Sequence, residues 1–169
     1  MKTQEARDLG REIAAHVRAE EVERAYALLA PVLAERTPFA KLGLIGEAIG
    51  REPLASVNAL LDEIAAHETE GGWVVIGKAL GQQFDRDLPG AFARSRAYII
   101  AADVWYGADI LGERVPGPAL VTHFEPALER LAPWRADENP WVRRAVGVGV
   151  HFWTKRAHGA PELVPRAER

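Results

Sequence analysis

An aromatic ring and a carboxylate stand one helical turn apart in the segment Asp103-Val-Trp-Tyr-Gly-Ala-Asp109. If this segment is helical, Trp105 and Asp109 project from the same face, because residues at i and i+4 are neighbours on a helix. The indole excludes water and offers its π face, and the carboxylate supplies charge, so the pair suits a developing cation. At about 4 Å and an effective dielectric constant of about 20, the attraction amounts to about 4 kcal/mol. The alternative is that Asp109 faces solvent and Trp105 is a half-buried packing residue.

The segment from Asn139 to Arg156 begins with a helix-start signal. Asn139 is a good N-cap, and Pro140 suits the first helical position, where its missing N–H has no intrahelical partner. Two glycines lower the helix propensity by about 1 kcal/mol each relative to alanine, and the alternating valines of residues 146–150 would also suit a short buried strand. The cap signal and the helical pattern of the rest of the chain favour a helix.

One face of this helix is basic. The residues that share the face at helical spacing are Arg144, Gly147, Val148, His151 and Lys155. Because Gly147 carries no side chain, the stripe lets a polyanion come close to the helix between the basic groups. The alternative is that Arg143 and Arg144 simply form a solvated face, with their aliphatic stems packed on apolar neighbours.

The motifs of most other enzyme classes are missing. The sequence contains no P-loop, no zinc-protease motif and no nucleophile elbow, and Gly147-Val-Gly149 lacks the third glycine of a dinucleotide site. There is no cysteine, and the five histidines show no metal-ligand spacing. We therefore expect no metal and no cofactor. A small-molecule enzyme of another helical class stays open as an alternative, although no motif supports it.

Charge is distributed unevenly over the 169 residues, whose formal net charge is −3. Residues 139–169 contain six Lys or Arg against two Asp or Glu, a net charge of +4, which leaves −7 for residues 1–138. A basic end on an acidic body indicates a localised anion site. The charged N-terminus does not resemble a signal peptide, and no apolar run approaches the ~20 residues of a membrane helix. We expect a cytoplasmic protein.

Helical periodicity extends over most of the chain. The predicted helices cover residues 3–19, 20–35, 39–49, 54–67, 73–84, 92–102, 103–112 and 119–131, with a last one beginning at 140. We expect Thr3 and Asp103 to cap helices and Pro31 to kink or split the second one. We also expect Glu70-Gly-Gly72 to end the fourth helix, and Asp87-Leu-Pro-Gly90 to form a turn.

Helices joined by short breaks, without a convincing strand pattern elsewhere, predict an all-α protein. The rhythm of long helix and short turn, without heptads, favours antiparallel helix pairs stacked as a solenoid, and a plain helical bundle is the alternative. We expect residues 1–158 to form a single helical-repeat domain and residues 159–169 to form an irregular tail.

Two motifs taken together resemble the bacterial DNA alkylation repair glycosylases of the AlkD type. The first motif is the Trp-x-x-x-Asp pair of Trp105 and Asp109. The second consists of Asn139, Trp141, Arg144 and Ala145. The separation between the two motifs is also similar to that family, and the resemblance is best over about residues 70–157.

The resemblance implies a curved stack of HEAT-like helix pairs that binds alkylated duplex DNA on its concave face. It implies the DNA repair activity of an N-glycosylase, a hydrolase that excises cationic purines such as 3-methyladenine or 7-methylguanine. Asp109 would stabilise the sugar cation and place a water, Trp105 would pack on the deoxyribose, and Arg144 would hold a phosphate. The further DNA contacts that we expect are those of Trp141, Arg143, His151, Lys155 and Arg156. The alternative is a non-catalytic HEAT-like module that binds protein or nucleic acid.

Overall fold

The computed structural model describes residues 1–157, and over this range the chain is helical and forms no strand. The helices are α1 (Thr3–Arg18), α2 (Val22–Ala34), α3 (Phe39–Ile49), α4 (Leu54–Ala66), α5 (Glu70–Gly81), α6 (Phe84–Ala102), α7 (Trp105–Arg114), α8 (Pro116–Thr122), α9 (Phe124–Leu131) and α10 (Pro140–Ala157). A 3-10 helix, Ala132–Ala136, precedes α10. The prediction of an all-α fold is confirmed, whereas the tail predicted at 159–169 lies outside the described residues.

The helices form two layers that alternate along most of the chain. α1, α3, α5, α7 and α10 pack side by side in one layer, and α2, α4, α6 and α9 pack less extensively in the other. A single core of buried apolar side chains lies between the layers. This arrangement of stacked helix pairs agrees with the predicted solenoid.

Glycines allow the helices of the first layer to approach closely. A Cβ on Gly46 of α3 would lie 2.5 Å from the carbonyl oxygen of Val75 in α5. A Cβ on Gly112 of α7 would lie 3.0 Å from the carbonyl oxygen of Ala145 in α10. This layer packs more closely than the other, and we call it the inner layer and the other one the outer layer.

Three predicted boundaries are wrong. Glu70-Gly-Gly72 does not end α4 but forms the first turn of α5, because the Thr69 hydroxyl caps that helix and accepts the Gly72 N–H at 3.1 Å. Of the kink or split predicted at Pro31, the split is wrong, because α2 continues through Pro31 to Ala34. The helix predicted over 119–131 is interrupted at His123, so that α8 and α9 are separate.

Two predicted caps are also wrong. Lys2 rather than Thr3 precedes α1, and its backbone N–H donates to the Glu5 carboxylate at 2.7 Å. Asp103 does not cap α7 but ends α6 in a left-handed conformation, with φ 43° and ψ 37°. Aspartate tolerates this conformation better than most residues.

The turn predicted at Asp87-Leu-Pro-Gly90 lies within α6. Asp87 departs from helical angles, with φ −160° and ψ 71°, and its carboxylate accepts the Gly90 N–H at 2.9 Å. Two helical segments therefore meet at a kink at Asp87, and the Asp87 carboxylate caps the second segment, as turn chemistry predicts.

Candidate active site

The start of α10 follows from two residues. The side-chain oxygen of Asn139 accepts the backbone N–H groups of Trp141 and Val142 at 2.9 and 3.2 Å, and the helix begins at Pro140. Both predictions for this helix start are confirmed. The alternative of a strand over residues 146–150 is wrong, because these residues lie in the middle of α10.

Polar contacts fix the beginning of α10 against α6. The Asp137 carboxylate accepts two N–H groups of Arg96, at 2.5 Å from Nε and 3.1 Å from Nη2. The indole N–H of Trp141 donates to the Asp103 carboxylate, which stands between α6 and α7, at 3.0 Å. Together these contacts determine which residues of α10 face α7.

An ion pair joins α7 to α10 within the inner layer. The Arg144 guanidinium donates to both carboxylate oxygens of Asp109, at 2.6 Å from Nε and 2.8 Å from Nη2. The hydrogen bonds and the negative charge of Asp109 raise the pKa of Arg144. The side chains of Arg144 and Asp109 are 47% and 30% exposed, and an ion pair this exposed stabilises a fold by about 1 kcal/mol or less. An anionic ligand can therefore compete for Arg144.

Trp105 lies one helical turn before Asp109 on α7 and is 55% exposed. Its ring contacts that of Tyr106 in a T-shaped arrangement, with 5.8 Å between the centroids. The residue is therefore about half-buried, so the alternative of a packing residue stays open beside the functional one. Its apolar surface is open to a ligand.

A groove of about 410 Å³ opens between α7 and α10 beside the ion pair. Its lining consists of Phe39, Asp109, Ile110, Glu113, Arg114, Gly147, Val148 and His151. We call it the α7–α10 groove. The α7 wall contributes both carboxylates, and the α10 wall contributes the imidazole and the bare backbone of the glycine.

The charges around the α7–α10 groove are balanced rather than uniformly acidic. Arg144 offsets Asp109, and Arg114 donates to the Glu113 carboxylate at 3.1 Å. Burial lowers the pKa of Arg114, whose guanidinium lies 5.7 Å from the centroid of the Phe39 ring. The acidic excess of residues 1–138 is therefore not concentrated at this surface, and a phosphate can approach it.

Two of the residues predicted to contact DNA have partners within the protein. Trp141 is partly buried, packs against the core and donates to Asp103. Arg143 donates to the backbone carbonyl groups of Asp137 and Glu138, at 2.6 and 2.9 Å. Both side chains therefore stabilise the start of α10.

The other predicted DNA contacts lie on the exposed surface of α10. His151 lines the α7–α10 groove, and Lys155 follows it by one turn on the same face. The Arg156 guanidinium lies 4.3 Å from the centroid of the Phe152 ring. The chain thus brings Asp109, Arg144 and His151 together, with Lys155 and Arg156 further along the helix.

Sequence reasoning did not find four residues of the groove, which are Phe39, Ile110, Glu113 and Arg114. Glu113 follows Asp109 by four residues, and residues at i and i+4 of a helix lie on the same face. The spacing that pairs Trp105 with Asp109 would therefore also have identified Glu113. Phe39 and Arg114 meet only because α3 and α7 both pack against α5. No local signal in the sequence indicates that contact.

Among residues 1–157, no group of three or more His, Asp or Glu side chains is arranged to hold a metal ion. Within the same range, no helix has both the length and the apolar character needed to cross a membrane.

Comparison with known proteins identifies the family of the chain. The family model described as DNA alkylation repair enzyme matches residues 45–168, which is well over half of the chain. The matched region contains Trp105, Asp109 and Arg144. No curated protein and no solved structure gives a significant match. The chain therefore belongs to the DNA alkylation repair enzyme family, which supports a role in DNA repair.

Proposed function

We propose that this protein binds duplex DNA and excises cationic N-alkylated purines by hydrolysing the N-glycosidic bond. The observation that carries the proposal is the bidentate Asp109–Arg144 pair, which joins two neighbouring helices of the inner layer. An exposed indole lies one turn from the carboxylate, and a groove lies beside it. Family membership supports the same substrate, DNA.

The chemistry needs few polar groups. Alkylation at a ring nitrogen gives the purine a positive charge, so the base leaves with the electron pair of the C1′–N bond as a neutral molecule. The deoxyribose becomes an oxocarbenium ion, and water adds at C1′ and releases a proton. A carboxylate stabilises the sugar cation, holds the water and accepts its proton. Asp109 is the group proposed for all three tasks.

Arg144 and Asp109 must change partners before this reaction. While the guanidinium occupies both carboxylate oxygens, its positive charge opposes a cation at the same place. A DNA phosphate is a strong bidentate acceptor for arginine and competes with this exposed pair. When Arg144 turns to the phosphate, its guanidinium no longer offsets the negative charge of Asp109. That charge can then stabilise the sugar cation. Binding of the DNA backbone thereby releases the Asp109 carboxylate from its ion pair.

Trp105 is proposed to pack against the deoxyribose of the lesion. Its exposed indole excludes water from one side of the sugar, and its π face attracts positive charge. Lys155 and Arg156 are proposed to contact phosphates further along α10. We assign Trp141 and Arg143 an indirect role, because their polar groups hold the start of that helix.

The direct test is release of 7-methylguanine from methylated duplex DNA. We expect release by the wild type, and a loss of about 10²–10³-fold in rate on Asp109→Asn, as for the removal of one electrostatic group from an active site. Asp62→Asn is the matched control, since Asp62 lies on α4 in the outer layer. The rate should be unchanged in that variant.

A different outcome would favour the non-catalytic module. If the wild type releases no base but binds DNA in a salt-sensitive manner, the protein recognises DNA without excising from it. If it neither binds nor cleaves, the proposed function is wrong.

A further inference from the structure

Gly147 is unlike the other glycines of residues 1–157. A Cβ built on it would meet no atom within 4 Å, whereas every other glycine of the described range has a neighbour inside that distance. Two residues further along α10, a Cβ on Gly149 would lie 2.8 Å from the Cβ of Pro116. Packing within the protein therefore explains Gly149 but does not explain Gly147.

A glycine in this position weakens the helix. Residue 147 lies in the middle of α10, where glycine is less favourable than alanine because its backbone loses more freedom on folding. Neither a neighbouring side chain nor an unusual backbone angle requires it. An external molecule that comes against the helix backbone would require it.

The walls of the α7–α10 groove indicate what that molecule is. Gly147 lies on the exposed face of α10 between Arg144 and His151, which flank it by one turn on either side. Asp109 and Glu113 lie on the opposite wall. An anion is attracted to Arg144 of α10, and a cation is attracted to Asp109 of α7, where Arg114 offsets the charge of Glu113. A sugar–phosphate unit that is losing a base has both charges.

Resting on the proposed function, we propose that the deoxyribose–phosphate unit of the lesion-bearing strand lies directly on the backbone of α10 at Gly147. Its phosphate lies between Arg144 and His151, and its sugar faces Asp109. The contact at Gly147 is van der Waals contact, because the backbone groups in the middle of a helix are already hydrogen-bonded to each other. Any side chain at this position holds the strand away from Asp109.

The test uses Gly147→Ala and Gly147→Leu with a duplex that contains a tetrahydrofuran abasic-site analogue. Because the space around the Cβ is open, neither variant should lower the thermal unfolding midpoint, and alanine should raise it. The dissociation constant measured by fluorescence anisotropy should rise about tenfold for alanine and further for leucine, as expected of overpacking. Ala93→Leu adds bulk at an exposed position of α6 in the outer layer and should bind like the wild type.

The outcomes separate this inference from the proposed function. The contact is supported if both variants are stable, Gly147→Ala binds more weakly than the wild type, and Gly147→Leu binds more weakly still. Wild-type affinity in both variants overturns it and leaves excision by Asp109 untouched. If the wild type itself does not bind the duplex, the proposed function fails and this inference fails with it. A fall in the unfolding midpoint of Gly147→Ala would show that packing requires the glycine, and this would also overturn the inference.

Discussion

Asp109 and Arg144 hold each other in the free protein, and this contact has a functional consequence at the scale of single residues. The guanidinium donates one hydrogen bond to each carboxylate oxygen and offsets the negative charge of Asp109. The pair is exposed enough for a phosphate to displace the carboxylate. Arg144 is therefore expected to contribute to DNA binding, and Asp109 to the chemical step that follows.

Replacement of Arg144 tests this division of roles. Arg144→Ala should weaken DNA binding by about 1–3 kcal/mol, because a charge-assisted hydrogen bond to phosphate is lost. Arg144→Lys keeps the charge but loses the bidentate geometry, so its affinity should lie between those of the wild type and the alanine variant. Fluorescence anisotropy with unmodified duplex measures both. Equal affinity of all three proteins would remove Arg144 from the site.

At the scale of elements, the contact between Trp141 and Asp103 connects α10 to the junction of α6 and α7. Asp103 accepts the indole N–H while holding a left-handed backbone conformation, so one residue meets two requirements. Asparagine also tolerates this conformation and keeps an oxygen acceptor. Alanine meets neither requirement, and glycine meets only the requirement of the backbone.

These substitutions give a graded prediction for stability. Asp103→Asn should be close to the wild type. Asp103→Ala should lose about 1–3 kcal/mol of unfolding free energy, from the missing acceptor and the strained backbone together. Asp103→Gly should lie between the two. Urea denaturation measures the series, and an alanine variant as stable as the asparagine variant would show that this contact does not fix α10.

A second anchor of α10 predicts a dependence of stability on pH. The hydrogen bonds from Arg96 lower the pKa of Asp137 in the folded protein. Because the folded pKa is lower than the unfolded one, ionised Asp137 stabilises the fold at pH values above the ordinary pKa of about 3.9. This contribution is lost as the pH falls through the folded pKa.

Substitution of the carboxylate checks the sign of this effect. Asp137→Asn should be less stable than the wild type at pH 7, and its unfolding free energy should fall less steeply on acidification below about pH 4. Asp8→Asn removes a carboxylate from the exposed surface of α1 as a control. An equally steep acid limb in Asp137→Asn and the wild type would contradict the assigned role.

Both the successes and the failures of the sequence predictions have physical causes. Asn139 and Pro140 mark the start of α10 because capping depends on adjacent residues alone. Asp103 was expected to cap α7, yet its carboxylate bonds to an indole 38 residues away, a contact that no local pattern encodes. Glu70-Gly-Gly72 does not end a helix as predicted, because the hydroxyl of Thr69 caps a new helix at this point.

The residues of the candidate site also differ in whether a local sequence pattern predicts them. The neighbour rule for helices predicted that Trp105 and Asp109 share a face, and only the family resemblance suggested Arg144 as their companion. Arg114 approaches Phe39 because α3 packs against α5 and α5 packs against α7. This contact depends on the tertiary structure, so the sequence does not predict it.

At the scale of the whole molecule, an acidic body carries a short basic surface. Residues 1–138 have a net charge of −7, while Arg144, Lys155 and Arg156 occupy exposed positions of α10. Long-range repulsion by the body disfavours extensive wrapping by DNA, because each additional contact would bring phosphates toward carboxylates. The binding surface should therefore be small.

The dependence of DNA affinity on salt measures the size of that surface. With three phosphates neutralised by Arg144, Lys155 and Arg156, the logarithm of the association constant should fall with the logarithm of the salt concentration with a slope of roughly −3. Lys155→Ala should reduce this slope by about 1. Arg24→Ala, on the outer-layer helix α2, should leave it unchanged because that arginine is remote from α10. A slope near zero would mean that phosphates do not contribute, and an equal effect of the Arg24 variant would mean that DNA is attracted by the molecule as a whole rather than held on α10.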